Sequence, residues 1–444
     1  MRIEWPRLIA VLARYAGDVG LAEELAQDAV VAALEQWPRA GVPDKPGAWL
    51  MTVAKRRAID DFRRNQELRS KYSQIGRALD AEGAGVTPGA DEAADRIDDD
   101  LLRLIFTACH PVLSVPARAA LTLRLLGGLT TGEIARGYLV PEATVAQRIV
   151  RAKKTLAEAG VRVEAPGSDE WPARMSSVLE VIYLIFNEGY SATAGGDWMR
   201  PTLCAEALRL VRVLAELAPW ESDVHGLAAL LEFQASRLRA RVGPSGEPVL
   251  LLDQDRHRWD QLLINRGIVA LGRAQQLGGT AGPYALQAAI AACHASAFRP
   301  EETDWAAIAT LYGVLAQVTP SPVVELNRAV AVSMAYGPQA GLDLVDALIG
   351  EPALRAYHLL PSVRGDLLMK LGRAREAQVE FQRAAALTEN QQERELSLRR
   401  AYEAAAAAAA GRTATGSANR AGQSDQPGQS GQSGQSGQPG QPGH

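Results

Sequence analysis

Apolar residues recur at spacings of three and four along almost the whole chain, and alternating β-branched runs are almost absent, so the pattern predicts helices throughout and an all-α fold. The sharpest stretch is 116–158. A first helix from Pro116 to Leu126 stops at Gly127 and Gly128. Thr130 with Glu133 predicts a capping box that opens a short second helix containing Ile134, Ala135 and Tyr138, and the joint Leu139-Val140-Pro141 leads into a third. In that third helix Val145, Ile149, Ala152 and Leu156 make one apolar stripe, leaving Thr144, Gln147, Arg148, Arg151 and Lys154 on the polar side. This is a helix-turn-helix layout, whose last helix offers its N-terminal side chains to base edges in a major groove. It also suits an ordinary three-helix bundle with a solvated basic face.

Upstream, residues 22–37 predict an amphipathic helix ending before Pro38. Leu25, Ala29, Ala32, Ala33 and Trp37 face a core, while Glu23, Glu24, Gln27, Asp28 and Glu35 remain available to a partner. A second helix over 46–64 is basic, with Lys55, Arg56, Arg57, Arg63 and Arg64, and carries Trp49 and Phe62; such a surface can hold backbone phosphates and stack an exposed base.

Composition divides the chain. Residues 1–70 form one helical unit, and 71–97, rich in Asp and Glu with Gly83, Gly85, Pro88 and Gly89, read as an acidic flexible linker. The helix-turn-helix unit occupies 98–163, a long helical region 170–410, and the Gln-Ser-Gly and Gln-Pro-Gly repeats of 411–444 predict a disordered tail. With 47 Lys and Arg against 51 Asp and Glu, the net charge of −4 excludes a wholly basic nucleic-acid coat protein, so any such signal is local. Arg118, Arg124, Arg136, Arg148, Arg151, Lys153, Lys154 and Arg162 outnumber Glu133, Glu142 and Glu158, which suits phosphate contact. Three scattered cysteines allow neither a disulfide framework nor a zinc ribbon; the absence of a signal peptide or a long apolar run predicts a cytoplasmic protein with no membrane contact.

The run AEELAQDAV…W followed by PGAWLMTVAKRRAIDDFRR resembles region 2 of extracytoplasmic-function sigma factors of the sigma-70 family, and LTTGEIARGYLVPEATVAQRIVRAKKTL resembles their region 4. FTACHPVLS, YLIFNEGYSAT, LLDQDRHRWD, GPYALQAAIAACHA and PSPVVELNRAVAV are similar to the subgroup with a C-terminal tetratricopeptide-like helical extension. The resemblance implies that the chain binds core RNA polymerase, through the β′ clamp helices and the β flap, and directs initiation at specific promoters. Glu24, Gln27 and Asp28 would dock on polymerase. Trp49, Lys55, Arg56, Arg57, Arg63 and Arg64 would meet the minus-ten element, and Thr144, Gln147, Arg148, Arg151 and Lys154 the minus-35 element.

In the extension, Gly365, Leu368, Gly372, Ala377, Phe381 and Ala384 match the small and large positions of a tetratricopeptide repeat, and 322–348 is a degenerate pair of the same kind. Stacked hairpins predict a surface for a regulatory protein or for docking within the chain. Glu188 with Tyr190, and Asp253, Asp255, Arg256 and His257, are polar clusters better suited to capping and pairing than to catalysis, and no phosphate loop or hydrolase motif occurs. Cys109-His110 and Cys293-His294 are adjacent residues pointing about 100° apart on a helix, so neither pair predicts a metal site. Neither a cofactor nor a catalytic residue is expected. A second reading stays open: a helix-turn-helix regulator that is not a sigma factor, whose array senses a ligand.

Overall fold

The computed structural model describes residues 4–64, 90–138, 140–191, 199–244 and 247–421, with side chains described for 5–58, 99–138, 140–191, 199–244 and 247–410. Helices account for its architecture; among the described residues the sole β feature is an isolated bridge between Val242 and Pro248. None of the described helices is long and apolar enough to cross a membrane.

Three helices open the chain: α1 (Glu4–Ala16), α2 (Val19–Ala40) and α3 (Pro46–Arg64). Asp18 caps α2, its carboxylate accepting from the backbone N–H of Gly20 at 2.6 Å and of Leu21 at 2.9 Å. The helix does not stop before Pro38. Pro38 falls in its last turn, where one missing N–H is tolerable, and the helix closes at Gly41, whose φ of 83° suits glycine and whose N–H bonds to Trp37 O at 2.9 Å.

The next helix, α4 (Ala90–Ala108), begins inside the stretch expected to be a flexible linker. Asp91 and Glu92 at its start suit the positive end of a helix, so the acidic run there favours helix rather than opposing it. Then come α5 (Val115–Leu125), α6 (Thr131–Tyr138) and α7 (Glu142–Glu158), with the joints where the pattern puts them. Gly128, at φ 62°, turns the chain between α5 and α6 under the ring of Trp5, where a Cβ would come within 3.1 Å of Trp5 Cδ1.

The extension runs through α8 (Trp171–Tyr190), α9 (Pro201–Leu217), α10 (Ser222–Ser236), α11 (Gln261–Gln276), α12 (Pro283–Ser296), α13 (Trp305–Val318), α14 (Pro322–Tyr336), α15 (Pro338–Ala347), α16 (Leu359–Lys370), α17 (Ala374–Leu387) and α18 (Gln391–Ala421). The last helix continues past residue 410, into the sequence expected to be disordered; its alanine-rich run is a strong helix former before the Gly-rich repeats begin. The repeat reading of 365–387 holds: Gly365 of α16 lies against the Phe381 ring of α17, and Ala377, Phe381 and Ala384 are buried. In the degenerate pair Gly341 plays the same part against Ala329 and Ser333.

One buried apolar core runs from Leu8 of α1 to Ala288 of α12, so the first bundle, the helix-turn-helix and the first part of the extension are packed together. A second core, from Leu326 to Ala404, holds the C-terminal hairpins, and a smaller one with Leu286, Ile290, Ile308 and Leu315 joins the two. The tryptophans serve this packing: Trp171 meets Phe106 edge-on at 5.0 Å and donates to Glu221 at 2.6 Å, Trp259 is buried, and Trp305 packs on His294; Trp198 lies outside the described residues.

Candidate nucleic-acid and partner interface

α7 presents the face its pattern predicts. Val145, Ile149, Ala152 and Leu156 are buried, Thr144, Gln147, Arg151 and Lys154 are exposed, and Arg148 is half-buried. Lys154 pairs with Glu158 one turn on at 3.5 Å, a solvated contact of little energetic weight. Val150 is 64% exposed on the same side. Pattern reading passes over an apolar residue on a polar face, yet this type of side chain can meet a thymine methyl group.

The elbow before α7 is fixed by hydrogen bonds. Thr130 N donates to Glu133 Oε2 at 2.8 Å and Glu133 N donates to Thr130 Oγ1 at 3.1 Å, the reciprocal box expected from the sequence. Thr131 Oγ1 donates to Glu142 Oε1 at 2.7 Å, tying the start of α6 to the start of α7.

The basic excess is smaller at the surface than in the sequence. Arg118 is buried and donates to Ser177 Oγ at 2.5 Å and to Glu180 Oε2 at 2.9 Å. Arg124 and Lys153 turn inward onto Glu23 of α2: Arg124 Nε is 2.5 Å from Oε1, and Lys153 Nζ is 2.5 Å from Oε2. Glu23 is therefore not available to a partner, since its side chain is only 3% exposed. Burial pushes its pKa upward, but the charges and hydrogen bonds of Lys153 and Arg124 together outweigh that and hold the carboxyl below its usual value. A second tie joins α1 to α4, where Asp100, buried, meets Arg14 Nε at 3.0 Å and Arg103 Nη1 at 3.1 Å. Burial raises the Asp100 pKa despite these cations.

On the outer face of α2, Glu24, Gln27 and Asp28 are exposed, as expected. Val31 and Leu34, 48% and 64% exposed, continue the same face, and the sequence pattern did not single them out. Gln27 and Val31 also line a groove of about 410 Å³ shared with Trp5, Leu50, Arg124 and Gly128, at the seam between the first bundle and the helix-turn-helix. An acidic face with apolar residues at helical spacing is suited to a protein partner rather than to DNA.

α3 is less open than its sequence suggests. Trp49 is half-buried, packed edge-on against Trp37 at 5.4 Å, and Lys55 is half-buried over the Tyr15 ring at 5.2 Å. Burial first, and the neighbouring Arg14 charge second, lower the Lys55 pKa. Arg57 pairs with Asp28 at 3.1 Å, while Arg56 is exposed. The side chains of Phe62, Arg63 and Arg64 lie outside the described residues.

The polar clusters in the extension are engaged in hydrogen bonds and ion pairs. Asp255 accepts from His257 N at 3.0 Å, and buried Arg256 donates to the carbonyls of His294 and Ala297 and to Thr303 Oγ1. Glu188 pairs with Arg200. Cys109 is buried with its thiol 3.3 Å from Thr122 Oγ1, and Cys293 is half-buried.

Family models match three segments: sigma-70 region 2 at 4–67, sigma-70 region 4 at 103–156, and a family of unknown function, DUF6596, at 174–275. An uncharacterized protein of Rhizobium meliloti (strain 1021) is 44% identical over 394 residues, 87% of this chain and 91% of that protein. ECF RNA polymerase sigma factor SigK of Mycobacterium sp. (strain KMS) is 31% identical over 149 residues, 32% of this chain and 72% of the relative. SigK of Mycobacterium bovis (strain BCG / Pasteur 1173P2) is 31% identical over 155 residues, 34% of this chain and 78% of the relative. No solved structure matches. The chain belongs to the extracytoplasmic-function sigma factors of the sigma-70 family and carries a C-terminal helical extension that includes the DUF6596 segment.

Proposed function

We propose that α2 docks on the β′ clamp helices of core RNA polymerase through Glu24, Gln27, Asp28, Val31 and Leu34, that α3 meets the minus-ten element, and that α7 meets the minus-35 element through Thr144, Gln147, Arg148, Arg151 and Lys154 while its bundle rests on the β flap. The observation that carries this reading is the exposed polar face of α7, set at a fixed elbow on a helix-turn-helix that follows a region 2 bundle. The chain is an alternative sigma factor directing promoter-specific transcription. Its extension modulates that activity, its work is in the cytoplasm, and no catalysis is assigned to it.

Packing of the two regions adds a step. The elements at minus-ten and minus-35 are about 25 base pairs apart, or ~85 Å at ~3.4 Å per pair. A compact body of about 120 residues, the size of the two matched regions together, has a radius of gyration of ~14 Å and a diameter of ~35 Å. Regions 2 and 4 thus separate when the chain engages both elements. The segment 65–89 that joins α3 to α4 can reach ~80 Å when extended, which is enough for that separation.

The test is transcription from genomic DNA fragments by core polymerase with and without this chain. Expected are co-elution with core polymerase and discrete transcripts that depend on the added protein. If the chain never co-elutes and no transcript depends on it, the reading is wrong.

A further inference from the structure

Between the core that holds the sigma regions and the C-terminal hairpins lies a cavity of about 470 Å³, walled by α8, α10, α12, α13 and α14. Its volume is that of a small-molecule site rather than of a packing defect. Among the described residues Arg237 is the single charged side chain on its wall, and no carboxylate lines it. The guanidinium is held in place: Nη2 donates to Tyr190 Oη at 2.7 Å and to Gln234 Oε1, and the group lies 5.7 Å from the Trp259 ring centroid. Among the described residues it forms no ion pair, in a chain where most other partly buried arginines have one.

Two further groups bear on what the cavity takes. His294 is 8% exposed and lines the wall, and its Nδ1 has no hydrogen-bond partner in the protein. Burial, with the Arg237 and Arg256 charges next, pushes this imidazole down to about 3, so the ring is neutral at physiological pH. The Arg237 and Arg256 charges that add to this shift also favour a bound anion, whereas burial by itself does not. The wall also carries Tyr183, whose hydroxyl donates to Gln287 Oε1 at 3.2 Å, and Tyr312, while Thr319 and Asn327, also on the wall, are exposed. Neutral amides and phenols recognise hydroxyl and carbonyl groups, and the rings offer faces for a planar body.

We propose that this cavity binds a small hydroxylated aromatic carboxylate, its carboxylate on Arg237 and its polar groups toward His294, Tyr183 and Gln287. One fixed guanidinium matches one carboxylate bidentately, and burial without a protein counter-ion makes an anionic ligand the natural partner. The site does not depend on the assignment of promoter contacts, and binding is measured without polymerase, so failure of one leaves the other standing.

Isothermal titration of the full chain with 4-hydroxycinnamate tests this, with 4-hydroxycinnamamide as the neutral counterpart. Expected are saturable binding of one acid per chain and at least tenfold weaker binding of the amide. Arg237→Met is expected to weaken the acid at least tenfold and to remove the preference over the amide. Because that variant disturbs a buried network, Ala291→Phe, which fills the cavity from α12 without touching Arg237, provides an independent reading and is expected to abolish binding. No saturable heat with the acid, equal affinity for acid and amide, or unchanged affinity in Ala291→Phe overturns the proposal.

Discussion

Glu23 offers the most direct test of how regions 2 and 4 are held together. Its carboxylate has three donors, with Gln27 Nε2 at 2.7 Å joining Arg124 and Lys153. Removing one partner of a buried ion pair costs about 3–5 kcal/mol, chiefly because the remaining charges are left desolvated. Here the two cations are 19% and 22% exposed and can relax toward water, and the amide oxygen of Glu23→Gln still accepts a hydrogen bond, so the lower end, about 3 kcal/mol, is expected. Global unfolding of a chain with several cores is not two-state, so the suitable measurement is amide hydrogen exchange in peptides from α2 and α7. A loss of about 3 kcal/mol in local opening free energy accelerates exchange there by roughly 150-fold, at ~1.36 kcal/mol per decade. The pH dependence has a definite sign. The folded pKa of Glu23 lies below the ordinary 4.5, so the contact contributes fully above about pH 4.5 and fades as pH falls through the lower folded value. Wild-type protein should lose seam protection in that acid window beyond the intrinsic change in exchange chemistry, and Glu23→Gln should not. Exchange within twofold of wild type in both helices, with the same acid profile, would refute the reasoning. If separation precedes promoter engagement, the variant also yields more transcript per unit of polymerase.

Other outcomes follow from the same geometry. Thr130→Ala removes half of the reciprocal box at the start of α6 and is expected to cost about 1 kcal/mol, read as faster exchange in α6 and weaker promoter binding. Arg151→Ala is expected to weaken promoter binding by about 1–3 kcal/mol if the side chain reaches a base edge, or to reduce the salt slope by about one if it meets a phosphate; an unchanged footprint removes the assignment. Gly365→Ala sets a methyl group 2.7 Å from Phe381 Cε1, an overpacking cost of about 1–3 kcal/mol that thermal melting of the C-terminal hairpins would register.

What the sequence made legible was local. The α7 stripe, the Thr130–Glu133 box and the Gly365–Phe381 interlock each depend on residues a few positions apart or on one repeat motif, and each is found as expected. Helical periodicity sends every charged residue outward, and nothing within α2 announces the partners of Glu23 in α5 and α7. The same periodicity assigns Arg118 and Lys153 to phosphate contact, although both turn inward. Trp49 is the type of side chain that stacks on a base, but it is half-buried and packed edge-on against Trp37 across the bundle. Pro38 and the acidic start of α4 show the converse, residues taken as helix breakers or linker that a helix end accommodates.

The junction of α8 and α9 with the helix-turn-helix has a mechanical corollary. Arg174 Nη2 donates to Phe106 O at 2.9 Å, Ser177 Oγ to Cys109 O at 2.6 Å, and Arg209 Nη2 to Leu126 O at 2.5 Å, so the extension is riveted to α4 and α5 through backbone carbonyls that have few alternatives. Because the extension is fastened to the helix-turn-helix at these points, the separation proposed above would carry the two as one piece, and a partner bound to the extension would constrain how α7 meets its target.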